Sequence, residues 1–147
     1  MNDKIYIENS RTMKFTLDEA TALALGKTLL TGGSSSCFGG YERNLFPFTT
    51  GFVVGGLASE LSCEMDNPAH FGMGFQGQVR TKEKLYAGQP MIGVGTWIDK
   101  GRIYFDIIQV VHERSVAEML CVDRGETAYY DIEAGKSVYI ELINIAD

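Results

Sequence analysis

Thiols, imidazoles, carboxylates and glycine-rich backbone are the groups through which this chain would do chemistry, and each has a candidate. Gly32-Gly33-Ser34-Ser35-Ser36-Cys37-Phe38-Gly39-Gly40 combines closely spaced glycines, which expose backbone amides, with three hydroxyls, the ingredients of an anion-binding nest. Ser34, Ser35 and Ser36 would hold a phosphate or nucleotide there, with Arg43 as charge partner. The segment lacks the Gly-Lys-Ser/Thr ending of a P-loop, and Gly/Ser tracts ordinarily serve as plain loops. Cys37 as a nucleophile would need His70 or His112 as its base; a free cysteine is more often an inert small hydrophobe. Cys63, His70 and Asp66 are too few ligands for zinc. No cofactor or metal is expected.

Gly72-Met73-Gly74-Phe75-Gln76-Gly77 matches G-x-G-x-x-G, whose glycines let backbone approach a pyrophosphate at a helix N-terminus. Its surroundings do not suit that role: Asn67-Pro68-Ala69-His70 before it is turn material, and no periodic helix opens at Gly77. An ordinary loop over Asn67 to Gly77 is the expectation, followed by a brief helix from Thr81 to Ala87. Arg80, Lys82 and Lys84 read as a solvated surface.

The strongest candidate face comes from a hairpin. Met91 to Asp99 and Arg102 to Val111 are strand-like runs joined by Lys100-Gly101, a spacing suited to a tight two-residue turn. With Asp99 opposite Arg102, Ile98 meets Ile103, Thr96 meets Phe105 and Val94 meets Ile107, so one face collects the aliphatic residues of both runs. The other face pairs Trp97 with Tyr104 and Gly95 with Asp106. Gly93 and Gly95 beside large aromatics would leave a hollow with stacking walls and one acceptor, Asp106. The plainer alternative has Trp97 and Tyr104 packed under the N-terminal half and Asp106 satisfied by a loop amide.

The remaining elements must position these groups. Lys4 to Glu8 alternates as a short strand does. Thr16-Leu17-Asp18-Glu19 fits a capping box, opening a helix to Leu30 with Leu17, Ala20, Ala24 and Leu25 in one apolar sector and Gly32-Gly33 ending it. Gly32 to Thr50 reads as a long loop, and Phe52-Val53-Val54 as a short buried strand. Ser115 to Glu118 is a second capping-box pattern, with Val116, Met119 and Leu120 spaced to lie on the hairpin's aliphatic face and Arg124-Gly125 closing the helix. Thr127 to Ile132 and Ser137 to Ile143 form a second hairpin around Gly135. The expected class is α+β: an antiparallel sheet built from a C-terminal hairpin-helix-hairpin unit, with an N-terminal helix and glycine-rich loops.

At 147 residues, 45% hydrophobic and 22% charged, the chain is one domain with room for a core. Its net charge of −6 excludes a nucleic-acid binder that works by bulk charge. Charges throughout the first twenty residues break any signal-peptide core, and no stretch reaches the roughly 20 apolar residues of a membrane span. Three cysteines form no disulfide framework, so a cytoplasmic protein is expected. Eight Phe and seven Tyr in a small chain point to a homo-oligomer that covers some of them.

Three patches, Thr50 to Gly56, Gly95 to Asp99 with Tyr104-Phe105-Asp106, and Arg124 to Asp131, together with the helix Phe15 to Leu30, resemble a loose group of small proteins encoded by bacteriophages and integrated elements. The group carries no established activity, so the resemblance implies a setting, a bacterial host cytoplasm, and no catalytic residue. It implies a non-catalytic accessory protein that binds a host protein, countering host defence. The alternatives are a nucleotide-sequestering protein using the serine segment with Trp97 and Tyr104, and a Cys-dependent hydrolase.

Overall fold

Thr16 accepts the amide of Glu19 while the Glu19 carboxylate takes the Thr16 amide, so the expected capping box starts the first helix. In the computed structural model, which describes residues 16–39, 44–47, 50–89 and 91–140 and leaves the side chains of 35–39 and 44–47 aside, this helix is α1 (Leu17–Thr31). It ends where Gly32 takes φ 90°, a left-handed conformation that costs glycine little. The strand expected at Lys4 to Glu8 lies outside the described residues.

The long loop expected after α1 is instead a pair of strands, β1 (Gly33–Gly39) and β2 (Asn44–Pro47), and β1 pairs antiparallel with β5 (Ile92–Asp99). Small residues hide this strand from propensity. Its ladder partner supplies what propensity lacks, with Gly33 opposite Trp97 and Ser35 opposite Gly95. β3 (Phe52–Val54) follows as expected, then β4 (Leu61–Glu64), where no strand was expected.

The glycine-rich stretch after Asn67 is also not a loop. One helix, α2 (Pro68–Tyr86), replaces both the loop and the brief helix. Asn67 caps it by accepting the His70 amide, and Pro68 sits in the first turn, where its missing N–H costs nothing. Phe71, Phe75 and Val79 recur at four-residue spacing and are buried on the sheet. Each contributes on the order of 1.5–3 kcal/mol of burial, enough to offset three helix glycines at roughly 1 kcal/mol apiece. Lys82, expected on a solvated surface, is buried on this same helix.

The hairpin has the expected register at every position: β5 pairs with β6 (Arg102–Val111), with Asp99 opposite Arg102, Ile98 opposite Ile103, and Val94 opposite Ile107. Lys100 and Gly101 both take positive φ, 52° and 80°, as a type I′ turn requires. α3 (Arg114–Arg124) starts before the Ser115 box, on Glu113, without a side-chain cap. Arg114 is held by Tyr129 Oη at 2.7 Å and Asp131 Oδ2 at 3.3 Å, and stands 5.0 Å over the Phe52 ring, which fixes the first turn two residues early. Its buried residues are Ala117 and Cys121, whereas Met119 is 60% exposed; the helix lies on Val54 and Tyr129, and α2 and α1 take the hairpin's aliphatic face.

β7 (Ala128–Asp131) and β8 (Lys136–Tyr139) pair as a hairpin with Gly135 at φ 67°; the end of the expected second run, 141–143, lies outside the described residues. The strand order is β2-β1-β5-β6-β3-β7-β8, with β4 also on β6. The fold is α+β, as expected, but β3 stands between the two C-terminal hairpins. That insertion is why α3 packs on β3 and β7, touching β6 only near its Val111 end, and not on the hairpin's aliphatic face.

Candidate functional site

Alternation along β5 and β6 sends Val94, Thr96, Phe105 and Ile107 to the helices and leaves Trp97, Asp99, Arg102 and Tyr104 on the outer face. At this end of the sheet the Trp97 and Tyr104 rings stack, with centroids 5.8 Å apart and planes 15° from parallel. Trp97 remains 37% exposed. β4 extends the face by setting Ser62 beside Tyr104 and Glu64 beside Arg102, and Arg102 Nη2 donates to Ser62 Oγ at 3.0 Å. Next to it lies an open hollow of about 400 Å³ lined by Glu64, Met65, Asp66, Gly101 and Arg102. Trp97 and Tyr104 were legible from the hairpin register; Ser62, Glu64 and Met65 were not, because the alternation of Leu61-Ser62-Cys63-Glu64 is only four residues long and names no partner strand.

The hollow expected at Gly93 and Gly95 is filled. Both glycines are buried, and a Cβ on Gly95 would come 2.7 Å from Ile108 Cγ2, so Ile108 occupies the space that the missing side chain leaves. Asp106, opposite Gly95, is likewise no open acceptor. It is only 3% exposed, and its Oδ2 takes the Gly56 amide at 3.0 Å, the loop-amide arrangement weighed as the plainer alternative. Its Oδ1 is buried and meets no hydrogen-bond donor among the described residues. Burial raises its pKa to about 6, the Gly56 amide opposes the rise, and Glu126 and Glu60 add to it. Burial and Glu126 push Glu60 upward as well.

Gly55 and Gly56 make this crowding sterically possible. A Cβ on Gly55 would run into Asp106 Oδ2 and lie 3.1 Å from Glu126 Oε1. Arg124, the nearby cation, spends its guanidinium on Gly55 O at 3.2 Å and Gln109 Oε1 at 2.5 Å. Among the described residues no group of three metal-binding side chains converges.

The serine segment and the aromatics do not share one hollow. Ser34 lies opposite Thr96 and faces α1: Ser34 Oγ and Thr96 Oγ1 are 2.6 Å apart, and Thr28 Oγ1 is 2.6 Å from Thr96 Oγ1 while donating to Ala24 O at 2.6 Å. The backbone of 33–39 is laddered to β2 and β5, so its amides do not form the expected nest. The side chains of Ser35, Ser36 and Cys37, and all of Arg43, lie outside the description. Thr28→Val should cost roughly 1–2 kcal/mol by removing one member of a buried hydroxyl cluster, read as a lower urea midpoint with unchanged m-value. A cost no greater than that of the exposed Thr127→Val change would show that the cluster carries no stability.

Cys63 and Cys121 are buried free thiols, and burial pushes both upward in pKa, the opposite of an activated nucleophile. His70 and His112 are exposed. Among the described residues no helix is long and apolar enough to cross a membrane. Comparison with protein-family models, with curated proteins and with solved structures finds no match to this chain.

Proposed function

We propose that the protein is a non-catalytic binding protein that engages a host macromolecule through the Trp97–Tyr104 end of its outer sheet face. The observation that carries this reading is the convergence of Trp97, Tyr104 and Arg102, with the exposed Met65 beside them. Trp, Tyr and Arg are the residues that most often dominate binding energy at protein interfaces, and Met is enriched there too. A stacked tryptophan left over one third exposed has little reason to be there for the fold alone. The setting, a phage or mobile-element product acting in a bacterial cytoplasm against host defence, rests on the resemblance of the sequence patches. The nucleotide alternative is weaker because Ser34 turns away from Trp97.

Trp97 is the chain's single tryptophan, so intrinsic fluorescence reports this face directly. A partner recovered from host lysate should shift Trp97 emission, and Trp97→Ala should weaken its binding at least tenfold while leaving the circular dichroism unchanged. Equal recovery of every protein by parent and variant would refute the reading. A nucleotide that raises the melting temperature of the parent but not of Trp97→Ala would replace it with the small-ligand alternative.

A further inference from the structure

Helix α1 is apolar on both sides. Ala20, Ala24 and Thr28 are buried under it, yet Leu23 is 46% exposed and Leu30 85%. Leu23 and Leu30 are seven residues apart and lie on one line along the helix, and Glu19 and Lys27 stand one turn before and one turn after Leu23. Gly26, beside this line in mid-helix, has no atom within 4 Å of where its Cβ would be. Among the described residues nothing packs on this glycine, which costs a helix roughly 0.5–1 kcal/mol relative to alanine.

We infer that α1 is the contact between two copies of this chain, crossing antiparallel about a twofold axis at Leu23. That axis sets Leu23 against its own counterpart. It also places Glu19 of each copy opposite Lys27 of the other, because the two residues are equally far from Leu23 on either side. Such self-complementarity is what a twofold interface demands. Parallel helices in the same register would stack Lys27 on Lys27 and Glu19 on Glu19, so the charge pattern selects the antiparallel arrangement. Exposed ion pairs contribute little energy; they choose the orientation, and the leucines drive association. Gly26 lets the backbones approach. The contact is one helix wide, below the ~800 Å² per partner of a standard interface, so the dimer forms at high protein concentration. α1 lies on the sheet face opposite Trp97, and two copies joined this way leave both aromatic faces free.

The test is sedimentation of the full chain from low micromolar to submillimolar concentration, together with oxidative cross-linking. The parent should pass from monomer to dimer, and Lys27→Glu should weaken association about tenfold while Lys27→Arg preserves it. Leu23→Cys should give a covalent dimer much faster than Met73→Cys, an exposed control on α2. A chain that stays monomeric throughout overturns the inference. So does a dimer in which Leu23→Cys cross-links no faster than the control.

Discussion

Gly74→Val is expected to lower stability by about 2–3 kcal/mol, while Gly72→Ala, two residues earlier on the same helix, raises it by about 0.5–1 kcal/mol. Both changes replace a glycine in the interior of α2 (Pro68–Tyr86), and propensity alone predicts a gain or near-neutrality for each. What separates them is the sheet. A Cβ at Gly74 would come 2.6 Å from the Phe105 ring, whereas at Gly72 it meets nothing within 4 Å. Phe105 cannot retreat, because it is fully buried and its ring lies 5.0 Å from that of Phe71. The helix would have to lift from β6, loosening Gln78 Nε2 from Phe105 O and Ser59 O, both at 2.9 Å. Urea denaturation of both variants reads the two signs directly. In a double-mutant cycle, Phe105→Leu should relieve part of the Gly74→Val penalty, since residues in contact do not add; strict additivity would show that the helix does not rest on that ring.

The same position explains why this part of the fold was hard to read. Gly72, Gly74 and Gly77 look like a phosphate loop or a turn, yet the middle one is glycine because a helix lies directly on an aromatic side chain. Phe71, Phe75 and Val79 carry the helical spacing, and the glycines between them conceal it. The hairpin around Lys100-Gly101 was legible to the residue because two independent runs had to agree on one aliphatic face, and a slip of one position would have put Trp97 on the face of Ile103 and Asp106 on the face of Val94. β1 and β4 have no such internal witness. Their partners, β5 and β6, lie far along the chain; β1 is small and polar, and the alternation of β4 spans only four residues, too short to fix a register with so distant a partner.

The site was legible to a similar depth. Register alone placed Trp97 opposite Tyr104 and Asp106 opposite Gly95, but it could not say what fills a gap, and Ile108 fills the one beside Gly95. Nor could it place Gly56 on Asp106, since that contact depends on where the chain turns between β3 and β4. Ser34 was selected for the company it keeps in sequence. Its surroundings in space, Thr28 and Thr96, come from an α1–β1 turn that the Gly32-Gly33 pair marked only as a helix end.

Asp106 should make the protein lose stability as pH rises from about 4 to above 6, the reverse of the common carboxylate case. Its carboxyl titrates at about 6 when folded against an ordinary 3.8. An acid whose folded pKa is raised contributes stability that is fully present below 3.8 and is lost as pH climbs through 6, because the unfolded chain gives up the proton more readily. The displacement corresponds to about 3 kcal/mol, a large share of a domain's ~5–15 kcal/mol. Glu60, raised for related reasons, acts in the same direction; Glu19, held low by its capping bonds to Thr16, acts in the opposite one and at lower pH. The difference between parent and Asp106→Asn isolates the single group. Asparagine is neutral at every pH and its carbonyl still accepts the Gly56 amide, so the two proteins should be near equal at pH 4 and the variant more stable at pH 8, by up to about 3 kcal/mol. Urea midpoints across that range decide it. Parallel curves would mean that the carboxylate is already compensated in the folded state, and that the buried Oδ1 has found a donor.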